Sequence, residues 1–232
     1  MNPRSSNRPS GRAVVLAFGL AIAVAVALVA VALVGRGDSS EPATETPVVN
    51  FAGIPQDGRV LGAPDATVML IEWADPQCPG CRFYTEEFLP TVVDEYVRPG
   101  RLNTQFRGFP FIGDDSVKGY RFLLAAAEQD RLWNLQEAMY RNQGDENDGW
   151  VTDDLIRELA AGITGLDVEQ LFADAGRADI VTEAEEAAAT AEAAGIEGTP
   201  TLQIAIGDAD PYTIQFGDLD QLRAALDDAL DG

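Results

Sequence analysis

Histidine is absent from the 232 residues, and lysine occurs once, at Lys118. Without an imidazole there is no Ser-His-Asp triad, no Cys-His protease pair, no imidazole metal ligand and no imidazole general base. Serine is scarce as well. Ser116 is the only one after residue 40, and no glycine-rich phosphate loop follows a strand pattern. That removes the serine hydrolases and the P-loop enzymes. Two cysteines are too few for a disulfide-dense scaffold or a self-contained Cys₄ zinc site. Positive charge is short too, with 16 Lys+Arg against 38 Asp+Glu and a formal charge of −22. Nucleic acid, a polyanion bound largely through cationic side chains, is not an expected partner.

What is present is 46% apolar residues, enough for the core of one domain, or of one domain plus an appendage. From Ala13 to Val34 the chain runs 22 residues without a charge. As a helix this stretch is roughly 33 Å long, the thickness of a bilayer's hydrocarbon core. The apolar stretch of a cleaved signal peptide is shorter, about 7–15 residues, so the expectation is an uncleaved membrane span over 13–34, with cleavage at the small residues near Ala30 and Ala32 as the alternative. Arg4, Arg8 and Arg12 precede it, while Arg36 follows together with Asp38, Glu41 and Glu45. The excess of Arg puts residues 1–12 in the cytoplasm and everything after 35 outside. Residues 35–50, rich in Pro, Ser, Thr and Glu, read as a flexible linker, and residues 51–232 as the folded domain.

Residues 67–74 form a near-continuous apolar, β-rich run, as in a strand buried on both faces. The turn signal Asp75-Pro76-Gln77 follows, then a helical pattern from Pro79 to Val97 in which Tyr84, Phe88, Val92 and Tyr96 recur every four residues. Pro90 falls inside it and predicts a kink. A second strand is expected over 101–108. A helical block covers about 114–194, in which Thr152 reads as an N-cap and Asp167 with Gln170 as a capping box. Gly195 reads as its closing αL cap. Strand patterns return at 201–206 and 212–216, and a short amphipathic helix ends the chain. The pattern is that of an α/β core with an all-helical insertion.

Both cysteines fall in one tetrapeptide, Cys78-Pro79-Gly80-Cys81, where a buried strand meets a long helix. A helix N-terminus carries unpaired backbone N–H groups and the positive end of the helix dipole, which stabilise a thiolate at Cys78. Cys81, one turn on, is placed to attack a mixed disulfide formed there. A structural disulfide and half of a metal site are the competing readings of the same pair. Glu72 interrupts the apolar strand six residues earlier, on one face with Leu70 and Ala74. Buried and unpaired, it would have a raised pKa and carry a proton near neutrality, whereas at a sheet edge it would simply meet solvent. Gly198-Thr199-Pro200 stands directly before a strand, a place for a proline, in isolation an ordinary turn. Asp75, Asp114 and Asp115 read as solvated loop carboxylates rather than a cation site.

The stretches GAPDATVMLIEWADPQCPGCRFY at 62–84, FRGFPF at 106–111, DRLWNLQEAMYRNQ at 130–143 and GIEGTPTLQIA at 195–205, in this order and spacing, resemble the DsbA-like branch of the thioredoxin superfamily. The resemblance spans about residues 59–230 and implies a thioredoxin fold with an inserted all-helical subdomain. It implies that Cys78 is the attacking cysteine, Cys81 the resolving one, and Pro79-Gly80 the variable centre of the motif. Pro200 then matches a cis-proline whose loop, with Thr199, holds the client strand, and Glu72 a buried proton shuttle. The implied activity is extracytoplasmic thiol–disulfide exchange with cysteine-containing client proteins, without a cofactor or metal. Oxidation is the expected direction, because disulfides persist outside the membrane, and a membrane redox partner would recycle the enzyme. A reductase or isomerase, or a non-catalytic binding module with a structural disulfide, are the alternatives. Strongly oxidising members often carry Pro-His between the cysteines; Pro79-Gly80 here implies a weaker oxidant.

Overall fold

A computed structural model of the chain describes residues 48–232. The expected membrane span over 13–34, the segment 1–12 and most of the linker 35–50 lie outside the described residues. Among the described residues no helix is long and apolar enough to cross a membrane. Packing begins slightly earlier than the boundary at 51, because the Val49 side chain is buried in the core. Arg98 pins this leading segment by donating to the carbonyls of Asn50 and Ala52.

Six strands form one sheet in the order β1-β2-β4-β3-β5-β6. They are β1 (Gln56–Asp57), β2 (Val60–Leu61), β3 (Val68–Ala74), β4 (Asn103–Gly108), β5 (Thr201–Ile206) and β6 (Tyr212–Ile214). β3 and β4 are parallel, with Glu72 opposite Phe106; β5 runs antiparallel to β3, with Leu202 opposite Glu72. β3 is therefore central, with a neighbour on each side, which accounts for its unbroken apolar run. Alternation splits its side chains between two cores. Leu70 and Ala74 join the larger cluster, and Ile71 and Trp73 join a smaller one with Ala191 and Ile196.

The parallel connection from β3 to β4 is helix α1, residues 79–97. Tyr84, Phe88, Leu89, Val92, Val93, Tyr96 and Val97 are all buried along it. Burying one such side chain contributes roughly 1.5–3 kcal/mol, so this face alone commits α1 to the sheet. The expected kink at Pro90 takes another form. α-Helical turns at Pro79–Phe83 and Leu89–Val92 alternate with π-helical turns at Tyr84–Phe88 and Val93–Val97. The Leu89 N–H reaches back five residues to the Tyr84 carbonyl. The extra residue in that turn loosens the backbone just ahead of a proline that has no N–H to give.

Between β4 and β5 stand five helices: α2 (Asp114–Ala127), α3 (Leu132–Arg141), α4 (Asp153–Ala161), α5 (Val168–Ala175) and α6 (Ala178–Ala193). Thr152 Oγ1 caps α4 by accepting from Leu155 N at 3.1 Å, and Asp167 caps α5 by accepting from Gln170 N at 3.0 Å. The return bond of a capping box comes from elsewhere: the Asp167 N–H is taken by Gln129 Oε1 at 2.8 Å. Gly195 closes α6 with φ of 76°, a conformation that glycine adopts without a Cβ clash. Helix α7 (Leu219–Asp231) ends the chain. β6 stops at Ile214, two residues short of the expected end, and the Phe216 ring turns inward against Tyr84 and Phe88.

Candidate active site

Cys78 is the N-cap of α1, with extended backbone (φ −70°, ψ 118°), and Pro79 takes the first helical position. Proline suits that place, since the N–H it lacks would have no partner inside the helix. The Cys78 sulfur faces the open end of the helix and accepts from Cys81 N at 3.3 Å. Across from it lies the loop before β5, where Thr199-Pro200 is a cis peptide. In the thiol form Cys78 Sγ donates to the Thr199 carbonyl at 3.3 Å. Gly80 lies where the two loops approach closely. A Cβ there would lie 3.1 Å from Pro200 Cδ.

The two sulfurs experience opposite environments. Cys78 retains 7% of its surface and Cys81 none, so the outer cysteine is recessed rather than openly exposed. The pKa of Cys78 is lowered to about 6, with the Cys81 thiol donating to it as the main cause. Burial opposes the shift; the Thr199 side chain and the backbone N–H groups of Cys81 and Gly80 assist it. Cys81 is pushed well above the usual thiol range by burial, by its bond to Cys78 and by the Cys78 charge. At neutral pH the reduced pair therefore holds one thiolate, outside, and one thiol, inside.

Glu72 is fully buried beneath this pair. Gln136 Nε2 on α3 donates to Glu72 Oε1 at 3.2 Å, while Oε2 has no hydrogen-bond partner. Burial raises its pKa to about 8; the Gln136 bond lowers it and the Cys78 charge raises it further. Its charge is in turn among the influences that raise Cys81. The pair is thus underlain by a carboxylic acid that keeps its proton at neutral pH.

Asp75 does different work from a solvated carboxylate. It is wholly buried and accepts from Gln77 N (2.7 Å), Phe111 N (2.8 Å), Ile112 N (3.0 Å) and Ser116 Oγ (2.5 Å). Four donors satisfy both of its oxygens and tie the turn before Cys78 to the β4–α2 loop. Neither oxygen is left for a cation. Further ties come from the insertion: Tyr140 Oη donates to the Asp75 carbonyl at 3.0 Å. Gln143 Nε2 donates to the carbonyls of Pro76 (2.9 Å) and Cys78 (3.2 Å). Gln77 Oε1 accepts from Asn147 N at 2.7 Å. The sequence alone did not single out Gln136, Tyr140, Gln143 or Asn147, which reach the site across more than sixty positions. The lone serine of the folded part, Ser116, was a visible signal, read as the lack of a hydrolase rather than as a ligand of Asp75.

Beside Cys78 an apolar groove of about 390 Å³ runs between α1 and the β5–β6 edge, over Phe83, Phe88, Pro200 and Phe216. The rings of Phe83, Tyr84, Phe88 and Phe216 meet edge to face at 5.5–6.3 Å. Phe83 keeps 56% of its surface exposed at the groove's rim.

A helix-capping dithiol facing a cis-proline loop, on a β-α-β and β-β-α sheet, defines the class of thioredoxin-like redox proteins. The thioredoxin family model matches residues 55–228, so the chain belongs to that family, as a DsbA-like thiol–disulfide oxidoreductase. It is 31% identical over 173 residues to a probable disulfide bond formation protein D of Bacillus cereus, covering 73% of this chain and 77% of that one. Disulfide bond formation protein D of Bacillus subtilis is 26% identical over 179 residues, covering 75% and 77%. Among solved structures, oxidised BdbD of Bacillus subtilis superposes with a TM-score of 0.66 at 23% identity, over 76% of this chain and 94% of that one. α-DsbA1 of Wolbachia pipientis gives 0.64 at 18% identity, over 79% and 94%.

Proposed function

We propose that this chain is a membrane-anchored, extracytoplasmic oxidase of protein thiols, and that Cys78 is its exchanging sulfur. The observation that carries this is the Cys78 sulfur at the N-terminus of α1, with a lowered pKa, facing Thr199-Pro200. In the oxidised enzyme a client thiolate attacks Cys78 Sγ. A client–Cys78 disulfide forms, the Cys78–Cys81 bond breaks, and Cys81 leaves with the electron pair. Glu72, protonated at neutral pH, supplies the proton that the buried Cys81 sulfur needs, since a bare thiolate there is costly. A second client thiolate then attacks its partner's sulfur, and Cys78 leaves as a thiolate stabilised by Cys81 and the helix terminus. The client gains a disulfide, and the enzyme holds two more electrons.

A low pKa at Cys78 favours the dithiol over the disulfide and so favours oxidation of clients. The Thr199-Pro200 loop and the apolar groove would receive an extended client segment, or the membrane protein that reoxidises the pair. Span 13–34 would hold residues 1–12 in the cytoplasm and the catalytic domain outside. The absence of a residue with a donor side chain at Gly80 supports a milder oxidant than Pro-His relatives.

The test is a Cys81→Ser variant of the full chain expressed in its cell. Client proteins should accumulate on Cys78 as mixed disulfides, and the wild-type pair should be isolated as the disulfide. A wild-type pair held as dithiol in cells would assign the reducing direction instead. Failure to trap any client, with function retained, would reduce the pair to a structural staple.

A further inference from the structure

The sheet face opposite Glu72 carries a second concavity. It is a cleft of about 680 Å³ between β3, β4 and α6, and none of Cys78, Cys81, Thr199 or Pro200 lines it. Its volume lies within the range of small-molecule sites, roughly 300–1,000 Å³. Trp73 gives it an aromatic floor, and Arg59 and Arg107 stand together on one wall.

Arg107 is unusual in so acidic a chain. Its guanidinium lies over the Trp73 ring, 5.3 Å from the centroid, and Nε donates to Gln105 Oε1 at 2.8 Å. The terminal nitrogens have no hydrogen-bond partner among the described residues, although the group is half-buried. A guanidinium offers a planar fork of donors that matches a carboxylate. Burial and the neighbouring Arg59 charge both disfavour its cation, and the attraction of an anion placed there would offset them. Arg59, by contrast, is already paired with Glu183. The acids of the opposite wall limit the charge the cleft accepts. Asp179 is held by Arg177 and Glu183 by Arg59, which leaves Glu186 without an ion-pair partner among the described residues. A dianion would meet that unmatched carboxylate.

We propose that this cleft binds a small aromatic monocarboxylate, with the carboxylate on the Arg107 fork and the ring against the aromatic floor. The site is independent of the redox pair. The experiment is a side-chain NMR titration of the reduced full chain in detergent micelles with 6-hydroxy-2-naphthoate, its uncharged carboxamide and inorganic phosphate. The naphthoate should shift the Trp73 indole and Arg107 Nε resonances saturably. Loss of one charged hydrogen-bonded pair should weaken binding at least ~10-fold for the carboxamide, for phosphate and for the naphthoate on an Arg107→Gln variant. The proposal is overturned if the naphthoate gives no saturable shift up to about 5 mM, weaker than any useful affinity. It is equally overturned if carboxamide or phosphate binds as tightly, or if Arg107→Gln binds undiminished. The ligand comparison on the unaltered chain decides the matter even if that variant does not fold.

Discussion

At the scale of single residues, the site separates two acids by their surroundings. Cys78 loses its proton early because donors converge on its sulfur, and Glu72 keeps its proton late because it is fully buried, with Gln136 alone donating to it in partial compensation. The consequence for stability can be isolated in the disulfide form, where neither cysteine titrates. Burial, the main cause of its raised pKa, persists without the Cys78 charge, so folded Glu72 releases its proton at a higher pH than the unfolded chain, which does so near 4.5. Between those values the native state binds more protons, so stability falls as pH rises, by about 1.4 kcal/mol per pH unit at most. Urea unfolding of the oxidised protein should show this decline as pH rises above 5, and Glu72→Gln should flatten it. An unchanged slope in the variant would mean that Glu72 is ionised in the folded protein.

At the scale of elements, the catalytic turn is held from three directions by β3, the β4–α2 loop and α3, with Asp75 at their meeting point. Asp75→Ala leaves the N–H groups of Gln77, Phe111 and Ile112 and the Ser116 hydroxyl without their acceptor. An unpaired buried donor costs about 1–3 kcal/mol, so a loss of about 3 kcal/mol or more is expected in chemical denaturation, with Asp75→Asn milder. This scale also sets what could be read from the chain beforehand. The β3–Cys78–α1 junction was legible because strand, turn and helix are contiguous and each has its own periodicity. Thr199-Pro200 pointed to the site only through family resemblance, since nothing local distinguishes it from any turn. Gln136, Gln143 and Asn147 were illegible: a polar residue on a helix of the insertion gives no sign that tertiary folding will bring it under a loop some sixty-five positions away. β1 and β2, two residues each, carry no periodicity to detect. Pro90 predicts a kink, but the backbone's answer to it, a widened turn ahead of the proline, depends on packing against the sheet.

For the whole molecule, a formal charge of −22 is distributed over a surface whose ion pairs are mostly solvent-exposed and individually weak. Self-repulsion of the acidic excess should dominate, so salt should stabilise this protein. Raising ionic strength from about 10 mM to about 100 mM shortens the screening length from ~30 Å to ~10 Å, and Tm should rise across that range. A falling Tm would show that the ion pairs outweigh the repulsion. The fold itself serves the chemistry by asymmetry. The sheet and the insertion close over Cys81 and Glu72, while the open end of α1 and the aromatic groove leave one side of Cys78 approachable.

That asymmetry is tested by the pH dependence of alkylation of the reduced full chain with iodoacetamide, read sulfur by sulfur by mass spectrometry. Cys78 should react alone, with a half-maximal rate near pH 6, and Cys81 should stay unmodified until the protein unfolds. Equal reactivity of the two sulfurs, or a Cys78 midpoint in the ordinary thiol range of about 8.5, would contradict a thiolate poised at the mouth of α1.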